Sequence, residues 1–244
     1  MAIARIFIDQ PLGKDNLIAL PAEAAHHVAR VLRLRVNDPL RLFNGRGGEF
    51  GARVESAAKS AVHVRVETYY PIERESPLTI ALVQGISRGE RMDFTLQKAV
   101  ELGVSAIVPV LTQRSTVRLE AERSGRRLAH WREVIISACE QSGRNQIPPI
   151  EPIQPLAQWL AHAPPGLRLL LAPETTQTLS TLTTKPTGPV TLLVGPEGGF
   201  SAQESQALVT AGCLPVRFGP RVLRTETAAL AALSALQTLW GDMR

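Results

Sequence analysis

The chain has 244 residues, of which 44% are hydrophobic and 20% charged, and its formal net charge at pH 7 is +5. This is the composition of a soluble globular protein with room for one large domain, or a small domain and a larger one. No apolar run approaches the ~18 residues of a membrane span, and the first residues lack the apolar segment of a signal peptide. The two cysteines lie far apart and form no metal-ligand spacing with histidines. We therefore expect a reduced, cytoplasmic protein with no metal and no membrane segment.

The positive charge is carried almost entirely by arginine, since only four of the 27 basic residues are lysines. Arginine binds phosphate bidentately and stacks on bases, so this bias suits an RNA partner. A coding bias of the source genome would produce the same composition, and both explanations stay open.

The first 70 residues contain short alternating apolar runs separated by glycine-rich turns. This pattern predicts a small β-barrel over residues 1–70. A polar stretch at 71–77, with a proline at each end, predicts a linker. The predicted strands cover 5–8, 39–44 and 62–66, and a short helix is predicted at 26–34.

From residue 78 onwards, continuous apolar runs alternate with amphipathic helical patterns. Runs that are apolar throughout are typical of parallel strands buried on both faces. The alternation predicts an α/β domain with a mostly parallel sheet over residues 78–244. The predicted strands cover 78–83, 106–111, 167–172, 190–194 and 214–218, and the predicted helices cover 91–102, 126–140, 201–211 and 225–240.

A glycine-rich loop, Gly195-Pro196-Glu197-Gly198-Gly199, follows the fourth of these strands. No lysine follows the glycines and Glu197 would repel a phosphate, which argues against a phosphate-binding Walker loop. The segment after the first strand, 84–89, lacks the spacing of a dinucleotide-binding loop. A carboxylate beside exposed backbone amides instead suits a ligand with hydroxyls and a positive centre, such as S-adenosylmethionine (SAM). The alternative explanation, a tight turn in which the glycines serve only the backbone geometry, stays open.

A second loop of mixed charge, 218–225, follows the last predicted strand and leads into the last helix. In a parallel sheet both loops open at the carboxyl ends of the strands, where ligands bind. Arg221 and Arg224 oppose the dipole of the helix that follows, an exception that often marks a site. A third polar cluster, Glu140–Asn145, taken alone favours a solvated helix end with Gly143 as the C-cap.

Several segments of this chain together resemble the RsmE family, the small-subunit ribosomal RNA uridine N3-methyltransferases of the SPOUT superfamily. The resemblance covers nearly the whole chain, and it is specific because the segments occur in the family's order. One modest departure is Val100, where a polar or small residue is common in the family. The segments are HVARVLRL at 27–34, QKAVELGV at 97–104, EQSGRN at 140–145, GPEGGFS at 195–201 and GPRVLRTETA at 219–228.

The resemblance implies an N-terminal PUA-like β-barrel that helps to hold RNA and a C-terminal SPOUT domain tied in a deep trefoil knot, an exception to the rule that chains do not thread loops. It implies a homodimer that transfers a methyl group from SAM to N3 of one uridine in the decoding region of 16S rRNA, within the assembled small subunit. The matching positions implied to bind SAM are Leu170, Leu171, Ala172, Gly195, Pro196, Glu197, Gly198, Gly199, Phe218, Gly219, Pro220, Val222, Leu223, Arg224 and Thr225.

The reaction requires loss of the N3 proton of uridine, since the neutral base is a poor nucleophile. Glu226 and Glu140 are candidate bases, although Glu226 equally suits compensation of the helix dipole. Arg144, Arg221 and Arg224 are candidates for stabilising an anionic uracil. With only 5% aromatic residues, RNA binding should depend on phosphate and shape contacts. The candidate RNA-binding residues are Arg5, Arg30, Arg33, Arg35, Arg88 and Arg91.

Two alternatives share some of these features. A ribose 2′-O-methyltransferase of the same superfamily would have the fold and the cofactor, but those enzymes resemble one another in an Asn-x-Gly-x-x-x-Arg motif that residues 84–91 lack. A non-catalytic RNA-binding assembly factor would be expected to carry a degraded cofactor loop, whereas both loops here are intact.

Overall fold

The computed structural model of the chain describes residues 3–58, 61–115, 121–182 and 184–243. It divides into two units, the first formed by Met1–Glu75 with Cys139–Ile147 and the second by Ser76–Ala138 with Pro148–Arg244. The division after Glu75 falls inside the predicted linker. The segment Cys139–Ile147, which the sequence analysis assigns to the second domain, belongs to the first unit.

The first unit is built on a five-stranded sheet. Its strands are β1 (Ala4–Phe7), β2 (Leu17–Ala19), β3 (Pro39–Phe43), β4 (Glu49–Ala57) and β5 (Val62–Tyr70). They are arranged in the order β1-β3-β4-β5-β2, with only β1 and β3 parallel among these neighbours. The three predicted strands are confirmed. The sequence predicted neither the three-residue strand β2 nor β4, and in β4 register shifts at Gly51/Ala52 and Val54/Ser56 interrupt the alternation.

The predicted helix at 26–34 is displaced towards the N-terminus. Helix α1 (Ala22–His26) continues as a π-helical turn, His27–Val31, and Val28 is fully buried in the apolar core of the unit. Arg33 has a φ of 55°, a left-handed conformation that cannot continue a right-handed helix. Around this point Val31 and Val36 are 59% and 52% exposed to solvent. Their neighbours Arg30, Arg33 and Arg35 are exposed as well.

An ion network centred on Glu49 joins the segment Cys139–Ile147 to this sheet. The Glu49 side chain is 6% exposed and forms ion pairs with Arg5, Arg41 and Arg74. The Arg5 guanidinium also donates hydrogen bonds to the Arg144 carbonyl (2.9 Å) and the Asn145 Oδ1 atom (2.8 Å). These partly buried hydrogen bonds hold the segment against the sheet. No periodic pattern in the sequence predicts them.

The second unit is an α/β fold. Its strands are β6 (Ile80–Gly85), β7 (Ala106–Leu111), β8 (Gln154–Pro155), β9 (Leu167–Leu171), β10 (Val190–Val194) and β11 (Leu214–Val216). Its helices are α2 (Glu90–Glu101), α3 (Ala121–Ser142, whose last residues belong to the first unit), α4 (Leu156–Ala161), α5 (Ala202–Thr210) and α6 (Thr225–Trp240), and a short 3-10 turn covers Leu179–Thr181. The five predicted strands and four predicted helices are confirmed.

The six strands of this unit form a parallel sheet in the order β11-β9-β10-β6-β7-β8. Every residue of the inner strand β10 is buried, which explains a sequence that is apolar except for Thr191. Because the strands are parallel, the segments that follow β6, β9, β10 and β11 leave the sheet at the same edge. Within the described residues, no helix is both long and apolar enough to cross a membrane.

Removal of the Glu49 charge should destabilise the first unit. Glu49→Gln leaves Arg5, whose side chain is 12% exposed, without a counter-ion, and we expect the free energy of unfolding to fall by about 3 kcal/mol. Urea unfolding followed by circular dichroism measures this change. The control is Glu55→Gln, which removes an exposed ion pair with Arg65 in the same sheet and should have little effect. Equal effects of the two variants would contradict this account.

Candidate functional site

A cavity of about 700 Å³ lies at the carboxyl ends of β9, β10 and β11 in the second unit. Of the fifteen residues that the sequence analysis assigns to a cofactor, all except Leu170 and Pro220 line it. Leu170 is 1% exposed and packs in the apolar core instead. The two loops chosen from the sequence therefore border one cavity, whose size is that of a small-molecule site.

The glycine loop packs so tightly against β6 that side chains are excluded. A Cβ atom on Gly85 would lie 2.6 Å from the Pro196 nitrogen, and one on Gly195 would lie 3.0 Å from the Phe200 nitrogen. Gly199 adopts a φ of +66°, which favours glycine. The geometry of the turn therefore requires glycines, and it brings the backbone of Gly195–Gly199 to the wall of the cavity.

Glu197, in the middle of this loop, is engaged by the segment that leads into α2. Its Oε1 atom accepts hydrogen bonds from the Arg88 backbone N–H (2.9 Å) and from Arg91 Nη1 (3.1 Å). Burial alone would raise the pKa of Glu197, but hydrogen bonds from the Arg88 N–H, its own N–H and Arg91 lower the pKa below its usual value. The Oε1 atom of Glu197 thus anchors the glycine loop to the segment that leads into α2.

Two arginines on the cavity wall, one in α2 and one after β7, contact the glycine loop. Arg91, predicted as an RNA contact, pairs with Glu197 as described, while Arg114 donates a hydrogen bond to the Gly198 carbonyl (3.0 Å). The sequence did not indicate Arg114, because it follows β7 in a segment without a recognisable motif. Both arginines therefore hold the glycine loop through contacts of their side chains.

Two side chains that line the cavity contain buried polar atoms without a partner. The Oε2 atom of Glu226 and the Nε atom of Arg217 have no hydrogen-bond partner among the described residues. Such atoms are costly unless a ligand or water satisfies them. One acceptor and one donor, together with the loop backbone, fit a ligand that carries both donor and acceptor groups.

The structure separates the four predicted catalytic residues into two groups. Glu226 and Arg224 line the cavity, together with Arg221. Glu140 and Arg144 do not line it and belong to the first unit. There the Oε1 atom of Glu140 accepts a hydrogen bond from the Phe7 backbone N–H (2.9 Å), and the Nε atom of Arg144 donates to Glu75 Oε2 (3.1 Å).

Five of the six arginines predicted to contact RNA have exposed side chains: Arg30, Arg33, Arg35, Arg88 and Arg91. Arg5 is the exception, because its guanidinium pairs with Glu49 and lies 4.8 Å from the centre of the Phe43 ring. Arg5 therefore has a structural role, and we remove it from the candidate RNA contacts. Among the described residues, no group of three or more His, Cys, Asp or Glu side chains could hold a metal ion.

The chain matches two family models, an RNA methyltransferase domain over residues 74–237 and an RNA methyltransferase PUA domain over 20–67. It is 35% identical to the ribosomal RNA small subunit methyltransferase E of Buchnera aphidicola, over 99% of this chain and 96% of the relative. The chain belongs to the ribosomal RNA small subunit methyltransferase E (RsmE) family. It is therefore a member of a family of RNA-methylating enzymes, as the resemblance of its motifs implied.

Solved structures agree with this assignment. A methyltransferase of Legionella pneumophila, solved with bound SAM, is 43% identical with a TM-score of 0.95, covering 99% of this chain and 100% of that one. An RsmE protein of Neisseria gonorrhoeae, also solved with SAM, is 42% identical with a TM-score of 0.93, covering 100% of both chains.

The packing of Gly85 against Pro196 predicts the effect of adding one methyl group. Gly85→Ala should shift the loop and lower the free energy of unfolding by about 1–3 kcal/mol, the usual cost of overpacking. Thermal unfolding measures this change. Gly188→Ala is the matched control, since a Cβ atom at Gly188 meets nothing within 4 Å. A Gly85→Ala variant as stable as the Gly188→Ala variant would contradict the close packing of Gly85 against Pro196.

The lowered pKa of Glu197 predicts a pH-dependent stability. Because the pKa is lower in the folded state, the stabilising contacts of this carboxylate are fully present above its usual value of 4.5 and are lost as pH falls through the folded pKa. Wild type should unfold at a higher temperature than Glu197→Gln near neutral pH, and this difference should shrink towards about pH 3. A difference that stays constant over this range would contradict the assignment.

Proposed function

We propose that this chain is a SAM-dependent methyltransferase that methylates N3 of one uridine in the decoding region of 16S rRNA, within the assembled small subunit. The observation that carries the proposal is the cavity bordered by both motif loops, in a chain whose relatives are small-subunit rRNA methyltransferases solved with SAM. The proposal extends the family assignment to the acceptor atom and to the state of the substrate.

SAM, when bound, supplies an electrophilic methyl group on a positively charged sulfur. The residues of the chain that would hold it are Leu171 and Ala172 at the end of β9, the backbone of Gly195–Gly199, and the loop from Phe218 to Thr225. The work of these residues is to align donor and acceptor and to exclude water, which a displacement reaction requires. The unpartnered Nε atom of Arg217 supports the fit, because the carboxylate of the amino acid part of SAM offers an acceptor.

Glu226 is the preferred proton acceptor for N3 of uridine. It lines the cavity and its Oε2 atom has no partner among the described residues, as expected of a base that bonds only to substrate. Arg221 and Arg224, both exposed on the loop beside it, would stabilise the negative charge that develops on uracil. Glu140 and Arg144 are weaker candidates, since partners within the first unit already engage them.

Exposed arginines in both units would contact the phosphates of the RNA: Arg30, Arg33 and Arg35 in the first, and Arg88 and Arg91 in the second. Such contacts make affinity strongly dependent on salt. The same proposal includes the finer features that the resemblance implies: a closed PUA-like barrel, a deep trefoil knot at the cofactor loops, a homodimer, and action in the cytoplasm.

Transfer of isotopically labelled methyl groups tests the proposed function. The purified protein is incubated with labelled SAM and either unmodified small subunits or free 16S rRNA, and the labelled nucleoside is identified by mass spectrometry. We expect 3-methyluridine from one position, with subunits preferred over free rRNA. Label in a 2′-O-methylated nucleoside would move the chain to the ribose methyltransferases, and no label with active SAM and intact subunits would favour a binding factor.

Loss of the proposed base should slow the chemical step. In single-turnover reactions on small subunits, Glu226→Gln should reduce the methyl-transfer rate by roughly 10²- to 10⁴-fold near neutral pH, with a smaller deficit at alkaline pH, where uridine N3 ionises without a base. Glu151→Gln alters an exposed glutamate of the same unit outside the cavity and serves as the control. If Glu226→Gln reacts at the wild-type rate at every pH, the proton has another acceptor.

A further inference from the structure

Gln84, the fifth residue of β6, is fully buried and bonds to two segments that are distant in the sequence. Its Nε2 atom donates hydrogen bonds to the Gly85 carbonyl (3.0 Å) and to the Thr225 hydroxyl (2.9 Å), and lies 3.5 Å from the Gly195 carbonyl. The Thr225 hydroxyl in turn donates to the Gly195 carbonyl at 2.6 Å. Two side chains thus connect the end of β6, the glycine loop and the start of α6.

This arrangement fixes one peptide group on two sides. The Gly195 carbonyl is held by Thr225, and the Pro196 ring, in the same planar peptide unit, lies against Gly85. Rotation of that unit would break the hydrogen bond or move the ring into β6. Because Gly195 and Thr225 both line the cavity, the bonds also set the distance between the two loops that border it.

We propose that Gln84 is a positioning residue, which acts through Thr225 to hold the glycine loop and the 218–225 loop at the separation that binds SAM. The inference rests on the proposed function, since SAM is the ligand that it concerns. Gln84 itself does not border the cavity, so its effect on the ligand is indirect. Its amide is suited to this task, because one nitrogen donates to both a carbonyl and a hydroxyl oxygen.

A purely structural role is the competing explanation, and the chain provides a control for it. Gln237, in α6 of the same unit, is also fully buried. Its Nε2 atom donates to the Leu102 carbonyl (3.0 Å) and its Oε1 atom accepts from the Ser76 hydroxyl (2.6 Å). Gln237 does not line the cavity, so its loss should affect stability and leave the cavity unchanged.

The test measures SAM affinity by isothermal titration calorimetry, well below the unfolding temperature of each variant. Gln84→Met and Gln237→Met remove the same amide from two buried positions, and both should lower the thermal midpoint of the ligand-free protein. We expect only Gln84→Met to raise the Kd for SAM, by ~10-fold or more, since a displaced loop loses several contacts at once.

Substitutions of Thr225 provide a second variant pair, which keeps the test valid if Gln84→Met does not fold. Thr225→Val keeps the branched shape but removes the hydroxyl, whereas Thr225→Ser keeps the hydroxyl. We expect Thr225→Ser to bind SAM more tightly than Thr225→Val. The Gln84→Met/Thr225→Val double variant should bind little worse than the weaker single variant, because both substitutions break the same connection.

The outcomes distinguish this inference from the function on which it rests. Wild-type affinity in Gln84→Met, with stability lowered as in Gln237→Met, would overturn the positioning role and leave the methyltransferase proposal intact. Equal SAM affinity of Thr225→Val and Thr225→Ser would also overturn it. A wild-type protein that binds no SAM would overturn both proposals.

Discussion

The narrow gap between the ends of β6 and β10 is the constraint on which the cavity depends. These strands are parallel neighbours, and Gln84 in β6 stands opposite Val194 in β10. Immediately beyond this pair, Gly85 leaves room for Pro196, so the chain turns sharply as soon as it leaves the sheet. The turn directs the backbone of Gly195–Gly199 towards the segments that follow β9 and β11, and the cavity is the space that these segments enclose. A side chain at residue 85 would move one wall of it.

Charge pairing within the site is the second constraint. Five arginines line the cavity: Arg91, Arg114, Arg217, Arg221 and Arg224. A ligand with a positively charged sulfur would be repelled if all of these charges were directed at it. Two of the five are engaged by the glycine loop itself, Arg91 by Glu197 and Arg114 by the Gly198 carbonyl. Glu197 therefore stabilises the loop and also offsets the positive charge of Arg91 near the ligand. This explains why the loop contains a carboxylate, which a phosphate-binding loop would avoid.

The sequence predicted the second unit more completely than the first, for a physical reason. Strands buried on both faces are almost entirely apolar, as in Val190–Val194, where only Thr191 is polar, and such runs are visible without any knowledge of their partners. The short strand β8 and helix α4 lack a long enough pattern. The role of Arg5 and the position of Cys139–Ile147 depend on a buried ion network between distant residues, which only the folded chain assembles. Gln84 lies in a segment that matches no ligand-binding motif, and its importance arises from its bond to Thr225, 141 positions later.

At the start of α6, three consecutive residues contribute to both the position of the glycine loop and the charge of the cavity. Arg224 is the N-cap residue and its side chain makes no capping hydrogen bond, Thr225 bonds to the glycine loop, and Glu226 carries the unpartnered carboxylate oxygen. A cation at the N-cap opposes the helix dipole, while an acidic residue in the first turn favours it. Helix α6 tolerates the cation because its stability comes from packing: Ala229, Ala232, Leu233 and Leu236 are completely buried. A helix stabilised in this way does not need its N-terminus for a cap, so these three positions are free to serve the cavity.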